Sequence, residues 1–118
     1  MSPTFDSAQE FCKIGTFPNG GHLYEPLSLE NNAKVMNASR DFVPVESWFH
    51  IGINRGDNAG SYFKYVSSGI TVPFEINWLE GLVSADSSHT CVYASNYNEL
   101  FWHVDICNYS MYLICESV

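Results

Sequence analysis

The residues of this chain with the most distinctive side-chain chemistry are its four cysteines, Cys12, Cys91, Cys107 and Cys115. Zinc ribbons and redox motifs require two cysteines about one turn apart, so that both thiolates meet one metal or each other. The sequence contains no such pair. Because the number is even, we expect two disulfides, in any of three pairings, and therefore an oxidising compartment.

Histidine and aspartate occur together near two of these cysteines. His89 and His103 have Asp86 and Asp105 close to them in sequence. Imidazole and carboxylate together suit Zn²⁺ better than Ca²⁺, which prefers a shell of oxygens. The alternative interpretation is that both histidines are ordinary loop or surface residues, since histidine is common without a metal.

Three short motifs bear on recognition and modification. Arg55, Gly56 and Asp57 form the integrin-recognition tripeptide on a predicted turn, and the alternative is a turn that requires Gly and Asp for its backbone. Asn37 and Asn108 each begin an Asn-X-Ser sequon, which predicts glycosylation in an exported protein.

Catalytic motifs are absent from the sequence. It has no nucleophile-elbow glycine pattern, no HExxH and no phosphate-binding glycine loop. No cysteine stays free once the bridges form. We therefore predict no catalytic residues and a protein that is not an enzyme.

The length and net charge of the chain limit its number of domains and its possible partners. The 118 residues predict one domain, 1–118. A net charge of -8 repels nucleic acid and anionic membranes. No apolar run reaches the ~18 residues that would predict a membrane span, and the first residues do not resemble a signal peptide. We expect a secreted protein or an extracellular domain whose signal has been removed.

Hydrophobic periodicity and capping residues predict two helices, at about 6–13 and 29–39, the second capped by Ser28. Alternation over 48–53 predicts a half-buried strand that forms a hairpin with 62–66. Three further strands are expected around 91–94, 100–104 and 111–116. Segment 67–90 is irregular, and irregular segments of this length are usually functional.

These landmarks together resemble the C-type lectin-like domain over almost the whole chain. The resemblance rests on Phe11-Cys12, Gly20 to Pro26, Ser28 to Asn31, Ile51-Gly52-Ile53, Gly60 to Tyr65, Asn77 to Gly81, Cys91-Val92, Trp102, Cys107 and Ile114-Cys115-Glu116. It implies an α+β fold in which two helices flank two small antiparallel sheets with a long irregular loop. It also implies bridges Cys12–Cys115 and Cys91–Cys107.

One part of the family pattern is missing. Members usually begin with a strand that pairs with the terminal one, and only Met1 to Thr4 precede the first predicted helix. The strand at 111–116 would then present an open edge. Such an edge would allow a homo-oligomer to form.

The resemblance also identifies the positions that hold Ca²⁺ in sugar-binding members, which are Leu82, Ser84, His89, His103 and Val104 in this chain. None is a carboxylate, whereas Ca²⁺ requires six to eight oxygens. The usual calcium site is therefore predicted to be absent. In the family, the positions of His89 and His103 contribute neighbouring ligands, which keeps zinc as an alternative.

We therefore predict an extracellular recognition module that binds a protein or glycan without calcium, through the 67–90 loop and the neighbouring strand ends. The alternative is a true lectin with a non-standard, zinc-assisted site at His89 and His103. Trp48 lies off the family pattern and is expected to be partly exposed. The candidate ligand-contacting residues are Glu80, Ser84, Asp86, His89, His103 and Asp105.

Overall fold

A computed structural model describes residues 4–14, 18, 20–55, 63–74, 86, 88–97 and 101–117. Two helices and seven strands occur within these ranges. In chain order they are α1 (Phe5–Ile14), β1 (Gly21–Leu23), α2 (Leu29–Ser39), β2 (Trp48–Asn54), β3 (Lys64–Tyr65), β4 (Cys91–Ser95), β5 (Trp102–Asp105), β6 (Tyr112–Leu113) and β7 (Cys115–Ser117).

Helix α1 is amphipathic and buries Phe5, Ala8 and Cys12. Phe11, which the helical spacing also predicts to face the core, is more than half exposed. Cys12 is bonded to Cys115, so the helix is attached covalently to β7. The second bridge joins Cys91 to Cys107, and both predicted pairings are confirmed.

Helix α2 has the predicted bounds because its start is encoded locally. The Ser28 hydroxyl accepts the Asn31 N–H at 3.0 Å, which satisfies one donor of the first turn. The buried side of the helix consists of Asn32, Met36 and Ser39. Leu29, which the apolar spacing predicts to be packed, is about half exposed.

The larger sheet has the order β3-β2-β4-β5. The predicted hairpin is confirmed, with Ile53 opposite Tyr65. Strands β4 and β5 pair antiparallel, with Tyr93 opposite His103 and Ala94 opposite Trp102. Strand β6 also pairs with β2, outside this strand order and in parallel, an exception to the expected antiparallel pattern.

Strand β2 is buried on both faces, so the prediction of a half-buried strand was wrong. Phe49, Ile51 and Ile53 enter the main core. On the other face, the His50 ring lies against Phe5 and Tyr93. Gly52 faces β1, where a Cβ would lie 2.8 Å from the Leu23 carbonyl oxygen. Alternate side chains of β2 therefore enter two different cores, and neither face of the strand is turned to solvent.

The final predicted strand contributes to both sheets. Residues of β6 pair with β2, whereas β7 pairs with β1, with His22 opposite Glu116. Between them, the Ile114 carbonyl accepts the Tyr24 N–H at 2.8 Å. Within the described ranges β7 is hydrogen-bonded to β1 alone, so the expectation of an open edge at this strand is retained.

These elements give the predicted α+β architecture of two helices, two small sheets and two disulfides. Neither helix in the described part of the chain is long and apolar enough to cross a bilayer.

Candidate functional site

The hairpin of β4 and β5 presents one face to the main core; its other face, called the outer face here, is buried along β4 and partly exposed along β5. Val92, Ala94, Trp102 and Val104 belong to the main core. Because side chains alternate along a strand, Tyr93, Ser95, His103 and Asp105 lie on the opposite face. The Trp48 indole extends this outer face and meets the His103 ring edge-on, with 6.3 Å between the two ring centroids.

His89 and His103, both candidate site residues from the sequence, contact the Asp105 carboxylate at the end of this face. His103 Nε2 lies 2.9 Å from Asp105 Oδ2, and His89 Nε2 lies 3.5 Å from Asp105 Oδ1. Asp86 Oδ2 is 3.7 Å from His89 Nε2. We call Asp86, His89, His103 and Asp105 the aspartate–histidine cluster. Four of the six residues proposed from the sequence are thus adjacent in space.

Asp86 is held by its own loop. Its carboxylate accepts both the N–H and the hydroxyl of Ser88, at 2.9 and 2.7 Å. These hydrogen bonds lower the pKa of Asp86; desolvation opposes them, and the charges of His89 and Arg55 add smaller contributions that also lower it. Asp86 is therefore an ionised, exposed carboxylate at the rim of the cluster.

Arg55 is a structural residue. Its side chain is buried, and its guanidinium donates to the carbonyls of His89 and Asp86 at 2.8 and 2.9 Å. The Arg55 N–H also bonds to the Thr90 carbonyl. Because the integrin tripeptide requires an exposed Arg, this placement leaves the adhesion prediction without support at that residue. Gly56 and Asp57 lie outside the described residues.

The donor set does not fit the family's calcium ion. At the matching positions, Val104 is buried in the main core and has no donor atom, and His89 and His103 offer nitrogen. A hard cation that needs six to eight oxygens finds none in these three side chains. Leu82, Ser84 and the candidate Glu80 lie outside the described residues.

His22 belongs to a more compact group of possible metal ligands. Within the described residues, the ligand atoms of His22, Glu25 and Glu116 all lie within 4.8 Å of one another, a convergence that the aspartate–histidine cluster does not reach. However, the Glu25 carboxylate already accepts two hydrogen bonds from Ser67, and Glu116 accepts the Glu25 N–H. These acids tie β1, β7 and the segment after β3 together without an ion.

Among the described residues, two concavities occur that were not predicted from the sequence. One, of about 350 Å³, lies between α2 and β6, and its lining is almost wholly apolar. The other, of about 200 Å³, lies at the opposite end of the outer face from Asp105; its lining, which we call the aromatic pocket, is Glu46, Trp48, Ser95, Tyr97 and Phe101. The one signal for it in the sequence was Trp48, which is half-buried as expected.

The predicted glycosylation sites differ in setting. Asn37 lies exposed on α2 and Asn108 lies exposed after β5. The Ser39 hydroxyl of the first sequon is buried and donates to the Met36 carbonyl at 2.6 Å. Glycosylation at both sites stays a prediction.

Comparison with known proteins identifies the family. The model of the lectin C-type domain matches residues 1–117. A search of curated sequences gives no significant match. The fold is similar to that of the C-type lectin CEL-I from Cucumaria echinata, with a TM-score of 0.80 at 16% identity, covering 98% of this chain and 83% of that one.

Two further structures show the breadth of this fold. A calcium-independent type II antifreeze protein has a TM-score of 0.74 at 24% identity, covering 97% of this chain and 78% of its own. The carbohydrate-recognition domain of mouse scavenger receptor C-type lectin has a TM-score of 0.74 at 22% identity, covering 99% and 85%. Since the family model spans nearly every residue and the fold agrees, this chain belongs to the C-type lectin domain family.

Proposed function

We propose that this domain is a non-enzymatic extracellular recognition module that binds a protein or glycan without calcium. The proposed contact surface is the aspartate–histidine cluster together with the rest of segment 67–90. Family membership supports the non-enzymatic part of this proposal, because domains of this family are generally not enzymes. The two disulfides and the exposed sequon asparagines support an extracellular location.

The main support for calcium independence is the set of side chains at positions His89, His103 and Val104. Two nitrogens and a buried alkyl group stand where sugar-binding members place oxygens. The loss of several ligands at once removes the charge and the coordination number on which calcium affinity depends. The antifreeze protein of the same fold, described as calcium-independent, is a precedent for such a departure.

A glycan array probed in EDTA and in Ca²⁺, with calcium calorimetry alongside, tests the proposal. We expect no calcium heat, and any binding on the array to be equal in the two conditions. Binding that EDTA abolishes and Ca²⁺ restores would overturn it. If the array is silent in both, a protein ligand is sought by cross-linking on intact cells, with His103→Ala as the variant that reduces capture.

A second candidate function is zinc-assisted glycan binding. It is favoured by the position of Asp105, whose carboxylate contacts both imidazoles. Zinc ligands are His nitrogens and carboxylate oxygens about 2 Å from the ion, so binding requires the rings to move closer together.

Zinc calorimetry with two matched variants separates this candidate from the other histidine cluster. Binding at the proposed site is lost in His103→Ala and retained in His22→Ala. Loss in His22→Ala alone would place the ion at Glu25 and Glu116 instead. A flat trace for the unaltered protein would eliminate zinc altogether.

The unpaired side of β7 within the described ranges supports a weaker proposal of self-association by strand pairing. Sedimentation of the protein over a range of concentrations tests it, and a single monomeric species throughout would contradict it.

A further inference from the structure

The aromatic pocket is built on one row of residues that crosses the larger sheet. Trp48 on β2 lies opposite Ser95 on β4. The Ser95 N–H donates to the Phe101 carbonyl at 3.1 Å, which continues the β4–β5 register one position beyond the pair of Ala94 and Trp102. Directly opposed residues of paired strands project to the same face. Trp48, Ser95 and Phe101 therefore share one side of the sheet, with the small residue in the middle.

The small middle residue separates two aromatic side chains. Adjacent strands lie ~4.8 Å apart, so the backbones that carry Trp48 and Phe101 are ~10 Å apart. Within the described part of the chain, the ring contact of Trp48 is with His103, and none joins it to Phe101 or Tyr97. A group seated between the rings would lie within the ~6 Å over which an aromatic face attracts a cation. The Ser95 hydroxyl is covered and offers nothing to a ligand.

The walls of the pocket are held in place by Asn96, which is fully buried. Its side-chain amide donates to the Pro44 carbonyl and the Ser39 hydroxyl and accepts the Ser47 N–H, at 3.1, 3.2 and 2.9 Å. Its backbone carbonyl accepts from Arg40 at 2.7 Å. One residue thus joins the end of α2, the segment before β2 and the β4–β5 turn. The pocket is therefore formed before any ligand arrives, which lowers the entropic cost of binding.

The charge of the pocket favours a cationic ligand. Glu46 is the one charged residue of the lining, and it is exposed. The chain as a whole has a net charge of -8, which attracts cations to its surface and repels anions. Arg40, the cation that donates to Asn96, is not part of the lining. An anionic group would therefore be repelled from this pocket.

The polarity of the pocket selects the kind of cation. Its exposed surface is almost wholly apolar. A primary ammonium carries three N–H donors, which would lose their water there without regaining hydrogen bonds. A quaternary ammonium has no N–H to satisfy, and its methyl groups pack against aromatic faces. The volume of about 200 Å³ is below the ~300 Å³ at which drug-sized pockets begin, so one small head group is accommodated.

We propose that the aromatic pocket binds a quaternary ammonium group of the choline type. Trp48, Tyr97 and Phe101 provide the aromatic surface for its methyl groups, and Glu46 provides the opposite charge. Enclosures of aromatic rings are a recurrent solution for cations of this class. The inference goes beyond the proposed function, because it assigns a different ligand to a different surface from the aspartate–histidine cluster.

Amide and indole NMR shifts of the labelled protein, recorded in EDTA, test the inference with matched probes. Choline carries the quaternary cation, ethanolamine is the corresponding primary ammonium, and dimethylbutanol has carbon in place of the choline nitrogen. We expect choline to give saturable shifts at the Trp48 indole and the Tyr97 amide. The other two probes should bind at least about fivefold more weakly, since one exposed cation–π contact is worth up to ~1 kcal/mol.

Matched variants locate the site. Tyr97→Leu removes an aromatic face but keeps an apolar side chain, and should weaken choline binding about fivefold. Tyr112→Leu makes the same change at an equally exposed tyrosine, 39% against 38% for Tyr97, in the other cavity, and should leave choline binding unchanged. Glu46→Gln removes the charge with little change of shape, and should weaken choline but not dimethylbutanol.

Phosphatidylcholine vesicles distinguish the source of the quaternary group. Co-sedimentation that is lost in Tyr97→Leu would assign the group to a lipid head group. Choline binding without co-sedimentation would assign it to a soluble cation. Either result supports the assignment of the pocket.

Three results would overturn the inference. Equal binding of choline and dimethylbutanol would mean that the pocket recognises apolar surface and not charge. A lack of shifts at Trp48 and Tyr97 under excess choline, or equal losses in Tyr97→Leu and Tyr112→Leu, would place the cation elsewhere or nowhere. The proposed function is tested separately, by the glycan array and by His103→Ala, so that either proposal fails without the other.

Discussion

At one end of the outer face of β4 and β5, the Asp105 carboxylate lies between His89 and His103 and also accepts the Ile106 N–H. At the other end, the Ser95 hydroxyl is buried without a partner among the residues that the structure describes, and Glu46 has a φ of 71°. Asp105 has partners on both carboxylate oxygens, whereas the Ser95 hydroxyl has none among the described residues. The contrast indicates that residue types alone do not show which polar groups the fold leaves without partners.

The largest effect we expect is from Asn96→Ala, which tests whether the aromatic pocket depends on one residue. Three side-chain hydrogen bonds are lost, and the Ser47 N–H and Pro44 carbonyl lose their Asn96 partner. At about 1 kcal/mol for each bond, the free energy of unfolding should fall by ~3 kcal/mol. Urea denaturation measures it, with the exposed Asn37→Ala as control. Equal stability of the two variants would contradict the assigned role.

A smaller effect is expected from Asp105→Asn, which tests whether the aspartate–histidine cluster satisfies itself. The substitution keeps the shape but removes the charge between the two imidazoles. Because the cluster is partly exposed and screened by solvent, we expect a loss of ~1 kcal/mol or less, without change at the aromatic pocket. Urea denaturation alongside the exposed Asp41→Asn measures the loss. A change in the Ser95 and Tyr97 amide shifts would show that the two regions are coupled.

The smallest effect, and the one of opposite sign, is expected from Glu46→Gly. Glycine adopts a φ of 71° freely, so the free energy of unfolding should rise by up to ~1 kcal/mol. Thermal unfolding beside Glu46→Ala, which keeps a Cβ at the same φ, isolates the backbone contribution. A lower midpoint for the glycine variant would mean that the carboxylate stabilises the free protein, and the contrast between the two regions would weaken.

Local signals and the family pattern predicted much of the fold. Ser28 caps α2 as its position indicated, and the Ile51-Gly52-Ile53 stretch forms the central strand. The buried face of α2 was not predictable in the same way. Ser39 is buried, and its hydroxyl accepts a hydrogen bond from the side-chain amide of Asn96, far along the chain. The apolar spacing of the helix contains no signal for that contact.

The sites show the same division. Proximity of His89 and His103 followed from the family pattern; His89 lies just before β4, and His103 lies on β5, which pairs with β4. The burial of Arg55 did not, because its partners are backbone carbonyls of the 86–90 segment, which leave no mark in side-chain sequence. The aromatic pocket draws on three separate segments and on an unpaired hydroxyl, and no spacing rule encodes either.

The bridge between Cys12 and Cys115, 103 positions apart in sequence, has a mechanical consequence. Tension applied to the chain outside these two cysteines would pass through the sulfur–sulfur bond and bypass everything between them. The first turns of α1 would be peeled away, but the pocket and the histidines would bear no load. A domain cross-linked in this manner would keep its ligand bound under tension.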